Sequence, residues 1–328
     1  MKILYLCDKN QYIKKMSRVR FHGMEAVEKI TDFKWSGPNW ENYNNDKTVQ
    51  ENIDKIYGTE QPDLVVAYKP LDMKEFCKTK SPRCIRYNEM YDVDWTIKEI
   101  MKSRSNLVIC HHENDYEQYK KLFNNFDLFP LKFSHVAHCA EKTVYKPYKI
   151  EKKWDLLLIG AINIFTKFGQ HYPLRDRVVK IMKKIENSTS YSCKIHVHPG
   201  YDHGDASSNK YAIDFAKNIS SAKICITCSG WPRSRFGKYV EVPMCGAALA
   251  SDLPDEDQEN FSKFLIEINM NMSDEEIIKK LCHYLENEEK RKGLIHKGLE
   301  FADQYTQEKY AERFVNTAKE FVNETFRN

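Results

Sequence analysis

The chain has 328 residues, 41% of them hydrophobic and 12% aromatic; that length exceeds what one core usually serves and predicts two domains. Lys+Arg 51 against Asp+Glu 47 leaves a net charge of only +4, with the charges interspersed. A basic block of the kind that marks a nucleic-acid binder is absent, and no apolar run reaches the length of a membrane span.

The first half opens on a strand-like run, Lys2–Cys7, directly after Met1, so no signal peptide is expected. Further strands are predicted at Asp63–Tyr68, Arg83–Tyr87, Asn106–Cys110 and Lys132–Ala137. These are continuous apolar runs without a two-residue alternation, as parallel strands covered on both faces require. Helical periodicity lies between them at Ser17–Ile30 and Asp115–Asn124. Strand and helix in alternation argue for a doubly wound α/β layer.

Residues Tyr145 to Lys153 are polar, contain Pro147 and lack periodicity, so a hinge is expected there. The second half repeats the scheme, with strands expected at Trp154–Gly160, Cys193–His198, Lys223–Cys228, Ala247–Ser251 and Phe264–Ile268. Ser273 with Glu276 forms a capping box for the helix that follows. Thr306 starts a last amphipathic helix with Tyr310, Phe314, Ala318 and Phe321 on one stripe. The predicted organisation is a Rossmann-like α/β domain over 1–148, a second α/β domain over 149–305, and a C-terminal helix over 306–328 that packs back toward the first. The two domains face each other across a cleft. Ten cysteines are scattered, several inside apolar runs, which predicts reduced, buried thiols and a cytoplasmic setting.

The most informative segment is 231–252, WPRSRFGKYVEVPMCGAALASD. It sets Arg235, Lys238 and Glu241 three residues apart, and on a helix such steps fan the side chains across roughly 120° of one face. Two cations beside a carboxylate suit a ligand that carries both phosphate and a vicinal diol, as a nucleotide sugar does. A plain surface helix with an i,i+3 ion pair has the same spacing.

Two Rossmann-like domains, a strand ending in Ile159-Gly160, and the run AKICITCS followed by Arg235–Gly246 and ALASD resemble the GT-B glycosyltransferases. The match is to the branch with CgeB-like and group 1 type C-terminal domains, and it covers residues 154 to 310. The resemblance implies a GT-B fold and a cytoplasmic glycosyltransferase that moves sugar from a nucleotide-diphosphate sugar, without a metal or other cofactor, to a glycan, lipid-linked or other hydroxyl acceptor. It implies Arg235 and Lys238 on the diphosphate, Glu241 on the ribose and Gly237 at a close backbone approach. One departure stands out. Many retaining members carry a Glu eight residues before the ribose Glu, whereas this chain has Arg233 there.

A second set follows the first strand of the C-terminal domain: Gly160, Lys167, Tyr172 and Arg175, with Asn163 beside them. Carboxyl ends of strands are where open α/β sheets hold ligands, so Arg175 is expected to reach phosphates and Tyr172 to stack on base or sugar. An ordinary capped loop with solvated cations fits the same residues. His196 and His198, with Asp202, His203 and Asp205, offer an alternative metal site and a hydrolase reading, which a strand-to-loop junction explains equally. Cys225 and Cys228 fall in a strand run, where their spacing sends them to opposite faces. In the first domain the candidates are Asp8, Arg18, Arg20, His22, Glu89, Asp92, His111, His112 and Glu113. An inverting transferase needs a base for the acceptor hydroxyl, with His112 the first choice and Asp8 the second. A catalytically degenerate relative that acts as a binding scaffold is the competing reading.

Overall fold

A computed structural model describes residues 1–13, 21–198 and 210–326. The chain divides into two compact units: Met1–His138 with Gln307–Asn328, and Cys139–Thr306.

The first unit holds β1 (Lys2–Leu6), β2 (Asp32–Ser36), β3 (Leu64–Ala67), β4 (Arg83–Tyr87), β5 (Leu107–Cys110) and β6 (Lys132–His135). They form one sheet in the order β2-β1-β3-β4-β5-β6, every pairing parallel. Its helices are α1 (Lys9–Ile13), α2 (His22–Glu28), α3 (Val49–Tyr57), α4 (Val93–Ser103) and α5 (Glu113–Leu122). Thr48 and Glu51 make a reciprocal capping box that starts α3.

The second unit holds β7 (Trp154–Gly160), a short antiparallel hairpin of β8 (Phe165–Thr166) and β9 (Gly169–Gln170), β10 (Cys193–Val197), β11 (Ala222–Ile226), β12 (Ala248–Ser251) and β13 (Ile266–Glu267). The main sheet runs β10-β7-β11-β12-β13, again parallel throughout. Helices α6 (Pro173–Ser188), α7 (Lys210–Ser220), α8 (Lys238–Met244), α9 (Gln258–Ser262), α10 (Asp274–Glu286) and α11 (Glu288–Asp303) accompany it. Two buried clusters cover its two faces. Alternation along β7 sends Leu157 and Ile159 into one and Leu156 and Leu158 into the other. Cys225 and Cys228 likewise sit in opposite clusters. All ten cysteines are free thiols.

The boundary lies earlier than the polar run at Tyr145–Lys153 suggests. Val144 and Tyr145 are buried in a core cluster of the second unit, Ala140 N donates to the Tyr305 carbonyl at 2.9 Å, and Lys152 Nζ donates to the carbonyls of Ser220, Ala222 and Gly246. The supposed hinge is therefore anchored, because its lysine is held by backbone oxygens and its tyrosine is core. The last helix, α12 (Gln307–Phe326), packs on α2 in the first unit; there Gly23 leaves room for the Tyr310 ring, which a Cβ would approach to 2.8 Å.

Candidate donor and acceptor sites

In a parallel sheet of order 2-1-3-4-5 the first strand's connection leaves on one side and the third strand's on the other. A crevice opens between their carboxyl ends, and ligands bind there. In the second unit those strands are β7 and β11. Gly160 ends β7 at φ +112°, and a Cβ on it would stand 2.5 Å from Arg175 Nη1. The absent side chain admits Arg175, in the first turn of α6, into the gap. Its Nη1 donates to the Ala161 carbonyl at 3.3 Å and its Nη2 to the Cys228 carbonyl at 3.2 Å, so one guanidinium spans both strand ends. The group lies 3.9 Å over the Tyr172 ring and is buried, and its Nε makes no hydrogen bond among the described residues. A fixed cation is thus presented at the switch point.

A clasp between two loops supports this cation. Trp231 N donates to the His171 carbonyl at 2.9 Å, and Trp231 Nε1 donates to His171 Nδ1 at 3.0 Å. The accepting Nδ1 assigns the proton of a neutral imidazole to Nε2. Burial, then the Arg175 charge, holds the His171 pKa below its ordinary value, in keeping with that neutral form. Lys167, grouped with Arg175 by sequence, occupies the turn of the β8–β9 hairpin instead, where its ammonium sits 5.1 Å from the Phe168 ring and the residue is exposed.

The Arg235–Lys238–Glu241 set is only partly brought together. Helix α8 begins at Lys238 with Gly237 as its cap, so Arg235 precedes the first turn and does not share the helical face expected for it. It is buried, with its guanidinium 4.1 Å over the Tyr305 ring and its N–H donating to Glu256 Oε1 at 2.6 Å. Lys238 and Glu241 do share a face, Nζ to Oε2 at 2.8 Å. This is no surface pair: the Glu241 side chain is 1% exposed and that of Lys238 20%. Gly237 adopts φ −50°, ψ −29°, which any residue can take; its carbonyl accepts from Val240 N and Glu241 N. Arg233 pairs with Asp255 at 2.5 Å.

Around the Lys238–Glu241 pair lie Tyr145, Tyr211, Phe215 and His196. Lys238 Nζ is 5.0 Å from the Phe215 ring, and the His196 ring is 5.2 Å from the same ring. Burial and then the Glu241 charge push the Tyr211 phenol up to about 12 and hold the Tyr145 phenol well above its ordinary value. Burial, then Lys194 and Lys238, lowers the His196 pKa. Val197 pairs with Gly160 across β10 and β7, so this group and Arg175 border the same carboxyl edge. Asp202, His203 and Asp205 of the alternative metal site lie outside the described residues. Among the described residues no His, Cys, Asp and Glu group is arranged to hold a metal ion.

Sequence reading passed over Asp252 and Ser229. Asp252 follows β12, and its carboxylate accepts from Ser229 N at 2.8 Å and Ser229 Oγ at 2.6 Å; the Tyr239 hydroxyl donates to the Asp252 carbonyl at 2.7 Å. Their position just past strand ends is the signal that would have found them.

In the first unit, Asp8 follows β1. Its Oδ1 accepts from Asn10 N and Asn39 Nδ2, both at 2.8 Å, and its carbonyl accepts from Gln11 and Tyr12, so it caps α1. His112 is buried at the cap of α5, with its ring 4.8 Å from that of His138. With β3 and β4 between β1 and β5, the two candidate bases stand three strand spacings apart, roughly 14 Å, and do not form one acid–base pair. His111 Nε2 faces Arg86 Nη1 at 3.1 Å and the Tyr310 hydroxyl at 3.1 Å. Arginine only donates, so that nitrogen accepts and the ring is neutral. Burial, then His138 and Arg86, holds the His111 pKa well below 6.5. His22 is buried at the start of α2, Asp92 caps α4 through Trp95 N, and Glu89 and Glu113 are exposed. Arg18 and Arg20 lie outside the described residues.

No protein-family model matches the chain, and no curated protein matches it in sequence. Solved structures do match. Trehalose-6-phosphate synthase from E. coli, bound with UDP-2-fluoro glucose, superposes with a TM-score of 0.67 at 9% identity over 97% of this chain and 99% of that one. Sucrose-phosphate synthase from Thermosynechococcus elongatus gives 0.59 at 10% over 98% and 99%. Anabaena HepE, in complex with UDP and glucose, gives 0.58 at 10% over 98% and 100%. The pneumococcal O-GlcNAc transferase GtfA, in complex with UDP and GlcNAc, gives 0.52 at 14% over 79% of this chain, which spans 57% of that one. The chain has the GT-B fold of these glycosyltransferases, two parallel-sheet α/β domains in sequence.

Proposed function

We propose that the chain is a glycosyltransferase that moves a sugar from a nucleoside-diphosphate sugar to an acceptor hydroxyl, with the donor held by the second unit. The carrying observation is Arg175, buried at the switch point over a glycine that makes way for it. Breaking the C1–O bond builds negative charge on the departing diphosphate. A preorganised cation there contributes about 10²–10³-fold in rate. Arg175 supplies one such charge and Lys238 the second. This pair serves the leaving group without a divalent ion. Glu241 holds the ammonium of Lys238 in place and offers its carboxylate to the ribose hydroxyls. Arg235, turned to Tyr305, acts through the loop that leads into α8. Three of these solved structures carry UDP with a sugar or a UDP-sugar, which supports a nucleotide-sugar donor.

The first unit takes the acceptor. His112, at the end of β5, is the favoured base, because the Asp8 carboxylate is already committed to two N–H donors. Calorimetric titration of the full chain with UDP, GDP and dTDP tests the reading. One of them is expected to bind, and Arg175→Ala is expected to abolish that binding while circular dichroism stays unchanged. Undiminished affinity in that variant refutes the assignment.

One observation favours the non-catalytic alternative. Arg233 stands where the resemblance expects a glutamate, and it is tied to Asp255. Slow hydrolysis of a nucleotide sugar above background separates an enzyme from a scaffold.

A further inference from the structure

The β8–β9 hairpin carries an exposed apolar surface. Ile164 is 41% exposed, Phe165 72%, Phe168 46%, and Trp231 beside them 37%. Soluble proteins scatter exposed apolar residues singly, whereas contiguous ones mark a contact. Phe168 and Trp231 have ring centroids 5.2 Å apart, and Ile164, which precedes Phe165, is tied to the same loop through its carbonyl, which accepts from His171 N at 2.8 Å.

Their exposure is built rather than loose. The two hydrogen bonds between Trp231 and His171 fix the support, and the Tyr172 ring lies 4.3 Å from His171 and 6.0 Å from Phe236 beneath it. The hairpin turns on Lys167 and Phe168, and a Cβ on Gly169 would meet nothing within 4 Å. These exposed apolar side chains suit a partner that deforms around them. From Ala161 to Pro173 no acidic residue occurs, and the single charged side chain is Lys167 at the tip. Aromatic rings with a cation at the tip suit an anionic lipid interface, where rings sit at headgroup depth and the ammonium meets phosphate. Among the described residues no helix is long and apolar enough to cross a membrane.

We propose that the hairpin is a membrane-interface contact: Phe165, Phe168 and Trp231 insert among the headgroups of an anionic phospholipid bilayer, with Lys167 on the lipid phosphates. This rests on the exposed surface alone and holds whether or not the chain transfers sugar. The full chain is sedimented with phosphatidylcholine vesicles, with and without phosphatidylglycerol. Binding to the anionic vesicles is expected, and bromine-labelled lipid should quench fluorescence that Trp231→Phe removes.

Phe165→Ser with Phe168→Ser should cut partitioning by about tenfold or more, since each ring loses its apolar transfer, while melting temperature and UDP affinity stay put. Lys167→Glu should weaken binding to anionic vesicles several-fold and leave binding to neutral ones unchanged. Failure of the wild type to bind, no Trp231 quenching, or unchanged binding by the double-serine variant overturns the proposal. A wild-type dimer that the double-serine variant turns into a monomer, with no vesicle binding by either, shows the surface to join two copies instead.

Discussion

Replacing Gly160 by alanine tests whether the cation at the switch point depends on a missing side chain. At φ +112° an L-residue is strained, which costs about 2 kcal/mol. The added methyl would stand 2.5 Å from Arg175 Nη1 and 2.8 Å from its Cζ. An arginine head normally swings away at little cost, but this one is buried, bonded to two carbonyls at 3.2 and 3.3 Å and stacked on Tyr172. Losing those long, charged hydrogen bonds costs about 2 kcal/mol more. The sum, about 4 kcal/mol, lowers the melting temperature of a domain this size by about 8–16 °C. Scanning calorimetry of the full chain reads that shift on the transition assigned to the second unit. The same substitution in an Arg175→Ala background should cost only the backbone share, about 2 kcal/mol, because nothing remains to be displaced. A loss under about 3 °C in the single variant, or equal losses in both backgrounds, refutes the reasoning.

Other outcomes follow from the same geometry. Glu241→Gln leaves the Lys238 ammonium without its carboxylate; because that ammonium touches water, the stability cost stays near about 2 kcal/mol, while affinity for the best nucleotide falls about tenfold, read by calorimetry. Stability should fall on acidification. His111 is neutral when folded with its pKa well below 6.5, so the unfolded chain binds the proton first and stability declines as pH drops below about 6.5, by at most about 1.4 kcal/mol per pH unit for this group. His111→Gln keeps an acceptor for Arg86, does not titrate, and should shrink that decline in melting scans from pH 7.5 to 5. Gly23→Ala drives a methyl to 2.8 Å from the Tyr310 ring and should destabilise the first unit by about 1–3 kcal/mol in urea unfolding.

Much of the fold was legible because parallel strands covered on both faces read as unbroken apolar runs; β4 and β7 fall at the expected residues. Strand β2, DFKWS, was not, since it lies at a sheet edge and alternates with polar residues. The segment from Tyr145 to Lys153 misled for a related reason. Composition reports charge, whereas Lys152 satisfies its ammonium on three carbonyls that only tertiary structure supplies. At the donor site, Lys238 and Glu241 were readable as an i,i+3 pair on one helical face. Arg235 was not, because residue spacing carries a helix backward past its cap, and the chain direction before Gly237 is set by Glu256 and Tyr305, which lie far away in sequence. The clasp of His171 and Trp231 is a contact across sixty residues and leaves no local pattern.

The return of α12 to α2 has a consequence for biosynthesis. The second unit is one continuous stretch and has all its strands once Thr306 has left the ribosome, whereas the first unit lacks Tyr310, Phe314 and Phe321 until α12 has followed. The amino-terminal half therefore waits, with part of its apolar surface open, for a helix that is translated only after the whole second unit. Premature termination just after Thr306 should yield a soundly folded carboxyl-terminal lobe attached to a sticky, chaperone-dependent remainder.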